Sequence, residues 1–571
     1  MCFLNFALTI ALLCAVRAAQ IPIQTLATGT VGVDSAWSDL SALPGANATG
    51  QLIFDTVNSL LQHWPNTRYR NGHNIIPGSV PVGTLLYHGR ANNSLPTVPE
   101  WTATDPEHAY GFCGGAPGND TNIGCWQLTF VVARPLKVLY FDGSSAANMK
   151  AGAGGTQDVQ DLLVWGEVDH ARWIDERGRI NGLCEWGREF GIEGYVRMEM
   201  DFEIMICDFT VGVELLAADF LAAWWAHFIT PPLWDPASQS ADPGSTRPRP
   251  RPHPRNNSEP PAAALLRFET IRAGSWHNRY PGETRVVLDL SRLVSFYDTA
   301  LVPSLIPHRA GLERWDHRAQ NISAADLAAV TERLRALLAS TSESSSAGSG
   351  VDWKTMYRVV VDRYAERLEL LQYLLNTTTT ETAAARGKTI QGQLRVMLTP
   401  YTLHAARPVV GGPAGDGWAA PVWRGCATRH TAHIHASAAL SARLTASERL
   451  LLSALDETGR EICRVVVRMW AAGVRAELDS VIPVAANAED IPHVVEGWRA
   501  DANALMQWLD WSVWVKCRPA CGVEEMCYLP TWPYFGQWTG EREKGDDTEK
   551  APPWKRPQPR CIRLFEPYSP L

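Results

Sequence analysis

Apolar residues recur at three- and four-residue spacing over five long segments in the second half of the chain. The segments are residues 324–339, 353–375, 382–398, 444–472 and 488–515. This spacing predicts amphipathic helices, because residues three and four apart share one helix face. A Ser/Gly-rich break at 341–350 separates the first helix from the others. The pattern favours a helical bundle.

The first part of the chain has a mixed pattern. Residues 80–88, 126–141 and 194–209 are rich in β-branched and aromatic residues, and each is predicted to be one strand. Helical spacing is found at 56–63, 159–164 and 183–190, with Gly and Asn between the elements. Residues 219–229 form an apolar stretch predicted to be a helix too short to span a membrane.

These patterns divide the chain into five parts and predict an α+β fold. An N-terminal mixed α/β domain covers 19–234, after a leader at 1–18. A Pro/Arg-rich segment at 235–262 is too poor in apolar residues to order itself and is interpreted as a disordered linker. A mostly helical, disulfide-clamped domain follows at 263–540, with one strand near 285–297 that returns to the first sheet. Residues 541–571 are an extended tail that Cys561 pins.

The leader predicts secretion. Residues 3–16 are nearly all apolar, too short for a bilayer span, and precede small residues of the kind that signal peptidase reads. Six Asn-X-Ser/Thr sequons fit an exported glycoprotein. They begin at Asn47, Asn92, Asn119, Asn256, Asn321 and Asn376. The net charge of −8 over 571 residues provides no basic field, so nucleic acid and anionic lipid are not expected as partners.

The cysteines are interpreted as staples. Of twelve cysteines, Cys2 and Cys14 leave with the leader, and the remaining ten allow five disulfides in an oxidising compartment. We expect the pairs Cys113–Cys125, Cys184–Cys207 and Cys426–Cys463, with Cys517, Cys521, Cys527 and Cys561 also disulfide-bonded in an open order. No metal site is predicted. His430, His433 and His435 are close in sequence but have no carboxylate pattern to complete a site.

Three short segments of the first domain carry candidate chemistry. They are Gly-Thr-Leu-Leu-Tyr-His-Gly-Arg at 83–90, Trp-Thr-Ala-Thr-Asp-Pro-Glu-His-Ala-Tyr at 101–110, and the strand at 194–209. Period-two alternation places Arg197, Glu199, Asp201 and Glu203 on one face of that strand, with Phe202 and the isoleucines on the core face. Carboxylates so close together repel each other, so the face is either solvated, with Arg197 relieving the charge, or functional.

At these segments the sequence resembles the ADP-ribosyltransferase fold, in the branch with a His-Tyr-Glu triad. Leu86-Tyr-His-Gly89 is similar to that family's first strand motif, Trp101-Thr-Ala-Thr-Asp-Pro106 to its second strand and helix, and Phe202-Glu-Ile-Met-Ile206 to the strand with the catalytic glutamate. The whole chain also resembles secreted proteins of filamentous fungi that have no assigned activity.

The resemblance implies NAD as a substrate and a role for each matched residue. Glu203 would hold a ribose hydroxyl and stabilise the positive charge that develops as the nicotinamide–ribose bond breaks. His88 would bind the other ribose, the Gly89 backbone the nicotinamide amide, and Tyr110 would stack on the ring. Tyr87 and Thr104 would contribute to cofactor binding, and Asp201 would orient the acceptor.

Two other readings remain open. Twenty-three tryptophans are compatible with a carbohydrate-binding protein, since indole faces stack on sugars. However, Trp508, Trp511 and Trp514 recur at three-residue spacing, as in a packed stripe. The other reading is a non-catalytic protein that binds a partner through its helices.

Overall fold

The structure, a computed structural model, describes residues 37, 39–45, 47–113, 124–148, 155–221, 261–339, 348–408, 415–479, 490–531 and 555–565. The predicted leader, nearly all of the predicted linker, and the sequons at Asn119 and Asn256 lie outside these residues. Asn47, Asn321 and Asn376 are exposed, and Asn92 is half-buried.

A ten-stranded, largely antiparallel sheet forms the first part of the molecule. Its order is β10-β1-β5-β6-β7-β3-β2-β4-β8, with β9 also paired to β1. The strands are β1 (Asn74–Val80), β2 (Leu85–Arg90), β3 (Glu100–Ala103), β4 (Cys125–Val132), β5 (Leu136–Phe141), β6 (Gly194–Met198), β7 (Phe202–Ile206), β8 (Val213–Leu221), β9 (Val287–Leu288) and β10 (Val294–Ser295). A further small sheet pairs β11 (Glu525–Tyr528) with β12 (Arg560–Arg563).

The helices are α1 (Gly50–Ser59), α2 (Trp64–Thr67), α3 (Pro106–Tyr110), α4 (Asp158–Trp165), α5 (Glu176–Gly187), α6 (Pro261–Ser275), α7 (Leu305–Arg309), α8 (Ala324–Ala339), α9 (Trp353–Asn376), α10 (Ala383–Leu398), α11 (Ala420–Thr428), α12 (Ala432–Ala436), α13 (Ala438–Arg443), α14 (Ala446–Arg475) and α15 (Ile491–Leu509). Helices α4 and α5 lie in the connection between β5 and β6, which pair in parallel. A parallel pair needs such a long crossover, whereas an antiparallel pair needs only a turn.

The single strand predicted at 194–209 is wrong. The chain turns at residues 199–201, so that β6 and β7 form a hairpin with Arg197 opposite Glu203 and Met198 opposite Phe202. Phe202 and Ile204 do face the core. The other face is also buried, because Arg197 is 1% exposed and Glu203 is 5% exposed. The solvated outer face is therefore wrong as well.

Two other predicted strands are interrupted by turns. Residues 80–88 turn between β1 and β2, where Gly83 has a φ of +83° that favours glycine. Residues 126–141 break after Val132, before Pro135, which has no N–H for a strand ladder. The helix predicted at 219–229 is wrong over its described part, because 219–221 end β8 and pair with β4.

The predictions for the later part of the chain agree better. Strands β9 and β10 both pair with β1, which confirms a returning strand near 285–297, although it is split by a short 3₁₀ turn. Helices α8, α9, α10, α14 and α15 match the five predicted segments, with α15 ending earlier than expected, at Leu509. Local signals set two of the starts. Thr382 caps α10, and Thr445 with Glu448 forms a capping box at α14.

One hydrophobic core joins the sheet and the helices. Phe54 of α1 stacks on Tyr357 of α9 at 4.7 Å and on Trp511 at 5.4 Å, between ring centroids. Val196 and Ile204 from the sheet belong to the same buried cluster. Trp511 also stacks on Trp514, so these side chains do pack together, although both residues lie after the end of α15 and not on one helix face. The sheet and the helical part thus share this core, and a second buried cluster, which includes Leu139 and Tyr195, also contains sheet residues. No helix within the described residues has the length and apolar character needed to span a membrane.

Five disulfides staple the described residues. Cys113–Cys125, Cys184–Cys207 and Cys426–Cys463 are the predicted pairs and are confirmed. The open order is resolved as Cys517–Cys527 and Cys521–Cys561, so Cys561 does hold the chain end, within β12. His433 and His435 lie within α12, His430 lies just before it, and His435 bonds to Asp456 at 2.7 Å.

Candidate active site

A narrow cleft opens where strands β2 and β3 diverge. Tyr87 opposite Ala103 is the one register pair between these two strands, all of whose residues the structure describes. Helix α3 covers the gap beyond this pair, and the empty space there, with the open solvent at its mouth included, is about 200 Å³. The cleft is lined by Tyr87, His88, Gly89, Trp101, Thr102, Ala103, His108, Ala109, Phe112 and Glu203. The structure therefore brings four of the sequence-predicted residues, Tyr87, His88, Gly89 and Glu203, to one place.

Glu203 is held at the cleft by Arg197. The Arg197 Nε donates to Glu203 Oε1 at 2.9 Å and Nη2 donates to the same oxygen at 2.5 Å. Arg197 also contacts Glu176 Oε1 at 2.5 Å and donates to Gln160 Oε1 at 3.1 Å. Within the described part of the chain, no hydrogen bond reaches Glu203 Oε2. Arg197 thus fixes one carboxylate oxygen of Glu203 and leaves the other without a described donor.

Burial and the neighbouring charges have opposing effects on the pKa values of Glu203 and Arg197. Burial raises the pKa of Glu203, Arg197 lowers it, and Glu176 raises it further. Burial alone would lower the pKa of Arg197, but its two glutamate partners raise it above its usual value. Arg197 therefore stays charged, and the acid it holds is more basic than a carboxylate in water.

His88 is neutral at pH 7 and its ring is fixed. Burial lowers the pKa of His88 to about 4, and its Nδ1 lies 2.7 Å from the carbonyl oxygen of Trp101. A carbonyl only accepts, so Nδ1 must carry the proton and donate. By register, Tyr87 shares its sheet face with Ala103 and Glu203, and the His88 ring leaves on the opposite face, 6.0 Å from Phe209. Because β2 and β3 diverge here, residues from both faces of β2 reach the cleft.

Gly89 is required by helix packing. A Cβ on Gly89 would lie 2.0 Å from the carbonyl oxygen of Ala109 and 2.7 Å from the backbone nitrogen of Cys113. Only glycine lets α3 approach β2 this closely. Sequence reasoning gave Gly89 a ligand-binding role, and the structure gives it a packing role beside the cleft.

Three sequence-predicted residues do not line the cleft. Tyr110 packs against the Cys113–Cys125 disulfide. Thr104 is fully buried, and its N–H donates to the Phe202 carbonyl at 3.2 Å, so that it ties β3 to β7. Asp201 is also fully buried, in the turn between β6 and β7.

His108 and Phe112, which the sequence analysis did not single out, line the cleft. His108 is 2% exposed, neither of its ring nitrogens has a hydrogen bond, and burial lowers its pKa to about 4. Phe112 is 43% exposed, and its ring centroid lies 6.0 Å from that of Trp101, edge to face. A four-residue spacing puts His108 and Phe112 on one side of the α3 turn, and that spacing is the sequence signal that would have identified them.

Comparison with known proteins finds a matching family profile and similar yeast proteins. A family profile described as the YPL277C N-terminal domain matches residues 115–223, a span that includes Glu203 and begins after His88. The yeast (Saccharomyces cerevisiae) protein YPL277C is 31% identical over 205 residues, which cover 29% of this chain and 42% of that protein. The chain thus spans less than half of that relative.

The yeast protein YOR389W is 23% identical over 538 residues, covering 84% of this chain and 81% of its own length. Both relatives are described as uncharacterized proteins. The longer match extends over the sheet and the helices together, which agrees with their shared core.

Proposed function

We propose that this chain is a secreted glycoprotein whose cleft between β2, β3 and α3 binds NAD and cleaves its nicotinamide–ribose bond. The reaction would be ADP-ribosyl transfer or NAD hydrolysis. The observation that carries the proposal is the meeting of His88, Gly89 and Glu203 at one cleft, although β2 and β7 are more than a hundred residues apart along the chain. NAD would be the substrate of this reaction.

Glu203 is the residue on which the chemistry depends. Bond cleavage places positive charge on the ribose, and a fixed carboxylate stabilises it where it appears. Arg197 holds Oε1, so Oε2 would accept a hydrogen bond from a ribose hydroxyl. The hydrogen bond from His88 Nδ1 to the Trp101 carbonyl would hold the His88 ring and the backbone of β3 in place at the wall of the cleft. Trp101 and Phe112 at the mouth would enclose the nicotinamide ring in place of Tyr110.

Nicotinamide release from NAD by the purified, disulfide-bonded protein tests the activity. Glu203→Gln keeps the hydrogen bond to Arg197 but removes the charge, and we expect a loss of about 10²–10³-fold. Glu189→Gln changes an exposed carboxylate of the same domain and should retain the wild-type rate. Near-ultraviolet circular dichroism checks that both variants are folded. No release by the wild type, or equal release by Glu203→Gln, contradicts the proposal.

Secretion and glycosylation have a separate test. Five disulfides in the described residues fit an oxidising compartment. Expressed with its own leader in a fungal host, the protein should enter the medium and gain mobility on N-glycosidase treatment. Asn321→Gln removes an exposed sequon and should abolish one step of that shift. Retention in the cytosol without a shift contradicts this part.

The same aromatic pair supports a second candidate, a carbohydrate-binding protein. Trp101 and Phe112 lie at the mouth of the cleft, where a sugar ring would stack as well as nicotinamide. Binding to a panel of fungal and plant polysaccharides, without NAD cleavage, favours this reading. Many of the other tryptophans are not available for it, since Trp423, Trp470, Trp498 and Trp511 are fully buried.

A further inference from the structure

A second polar cluster lies behind the cleft, where three elements meet. Asp105 precedes α3, Asp201 lies in the turn between β6 and β7, and His277 lies in a 3₁₀ turn after α6. His277 Nε2 is 3.0 Å from Asp105 Oδ2 and 3.6 Å from Asp201 Oδ1. One ligand-type atom from each side chain lies within 4.8 Å of the other two.

One carboxylate oxygen of Asp201 lacks a hydrogen-bond donor within the described part of the chain. It is 0% exposed, and its Oδ1 accepts from the Phe202 N–H at 2.7 Å. Its Oδ2 has no hydrogen-bond partner in the described residues. A buried carboxylate oxygen without a donor is costly, so Oδ2 requires either a proton or a cation.

The charges of the cluster do not balance. Glu283, 1% exposed, adds a third carboxylate 3.6 Å from His277 Nε2. Arg285 donates to Glu283 Oε1 at 2.7 Å, reaches Asp105 Oδ2 at 3.2 Å and lies 3.5 Å from His277 Nε2 through Nη2, but no contact to Asp201 is among its described bonds. With all three carboxylates ionised and His277 neutral, one guanidinium leaves two negative charges uncompensated. A divalent cation would cancel them.

The spacing of the donors fits a coordination shell. Two ligands that are each about 2.1 Å from a metal lie roughly 3.0–3.5 Å apart. The separations from His277 Nε2 to the two aspartates, 3.0 and 3.6 Å, are close to that range. We propose that Asp105, Asp201 and His277 bind a first-row divalent cation, Mn²⁺ or Zn²⁺, with Glu283 beside them.

The ligand types select this class of cation. Mg²⁺ and Ca²⁺ favour all-oxygen sites, whereas imidazole together with carboxylates suits first-row metals. The cation fixes the β6–β7 turn to the start of α3, and so stabilises two walls of the cleft. The site does not depend on NAD cleavage, and the two proposals stand or fall separately.

Metal titration of the intact, chelator-treated protein tests the site. MnCl₂ and ZnCl₂ are titrated by calorimetry, and bound Mn²⁺ is followed by electron paramagnetic resonance. We expect one site in the wild type and at least a ten-fold loss of affinity in Asp201→Asn. Asp208→Asn changes an exposed carboxylate just after β7 and should bind as the wild type does. Surface histidines such as His435 are present in all three proteins, so their binding cancels in the comparison.

Thermal unfolding supplies a second readout in case Asp201→Asn folds poorly. Saturating metal should raise the Tm of the wild type and of Asp208→Asn, and leave that of His277→Gln unchanged. Equal affinity in the wild type and Asp201→Asn overturns the proposal. So does the absence of binding by either metal, in which case Asp105 and Asp201 share a proton.

Discussion

Two buried carboxylates, one in each part of the molecule, meet opposite environments. Glu448 in the helical part is 1% exposed and accepts from the Ser349 N–H, the Trp353 Nε1–H and the Thr445 N–H. Burial would raise its pKa, but these donors lower it below its usual value. Asp201 in the sheet part is equally buried and has one donor, from Phe202.

This difference separates a structural acid from acids available for chemistry. Glu448 accepts hydrogen bonds on both carboxylate oxygens, so its role is to cap the start of α14. Where a buried oxygen is left without a described donor, as at Asp201 Oδ2, the fold carries a cost that a proton or a ligand would relieve. The candidate chemistry therefore lies in the sheet part, and the helical part supports it through the shared core.

Arg197→Met should have the largest effect on stability. It leaves Glu203 and Glu176 buried without their cation, which costs about 3–5 kcal/mol of unfolding free energy. Urea unfolding of the disulfide-intact protein measures the loss. Arg134→Met breaks an exposed ion pair with Glu193 and should cost about 0–1 kcal/mol. Equal losses in the two variants would show that the buried network has no special role.

Glu448→Gln should have a smaller but clear effect. The amide keeps one acceptor and faces the donors of Ser349 and Thr445 with its NH₂ group, so we expect a loss of about 1–3 kcal/mol. Glu366→Gln, exposed on α9, should change stability by less than about 0.5 kcal/mol. A loss below about 0.5 kcal/mol for Glu448→Gln would mean that the charge of Glu448 does not contribute to stability.

The pH dependence of stability should differ between the two parts. Burial raises the pKa of Asp142 in the sheet part to about 6, although His73 and Asn74 donate to it. A raised pKa means that the folded state holds the proton more tightly, so this contribution is lost as pH rises toward 6. Between about pH 4 and 6, the slope is at most about 1.4 kcal/mol per pH unit.

Urea unfolding at several pH values compares the wild type with Asp142→Asn. The variant should lose the part of the slope that Asp142 contributes and keep the part from Asp161, whose pKa burial also raises to about 6, and Glu366→Gln should retain both. An unchanged slope in Asp142→Asn would show that other groups cause this pH dependence.

The helices were predictable because their signals are local. Apolar spacing and the capping residues Thr382 and Thr445 lie within the segments that they shape. The hairpin at 199–201 was missed because Glu-Met-Asp contains no glycine, proline or asparagine to mark a turn. What fixes that turn is the pairing of Arg197 with Glu203 across the strands.

The site was predictable only in part, for the same reason. The motifs around His88 and Glu203 are short and local, and the resemblance they carry was enough to place both at one cleft. Asp105 and His277 are 172 residues apart, and no local pattern joins them. The presence of Phe112 in the cleft, and the absence of Tyr110 from its lining, depends on how α3 packs over Gly89, which only the tertiary structure determines.

Binding of a hydrolysis-resistant NAD analogue, measured by calorimetry, tests the central claim most directly. Phe112 is solvent-exposed at the cleft mouth, so Phe112→Ala should fold normally and lose a stacking contact of about 0.5–1.5 kcal/mol. We predict saturable binding to the wild type, weakened about 2- to 12-fold in Phe112→Ala and unchanged in Phe565→Ala, a similarly exposed control. No binding, or equal binding by all three proteins, would contradict the assignment of the cleft.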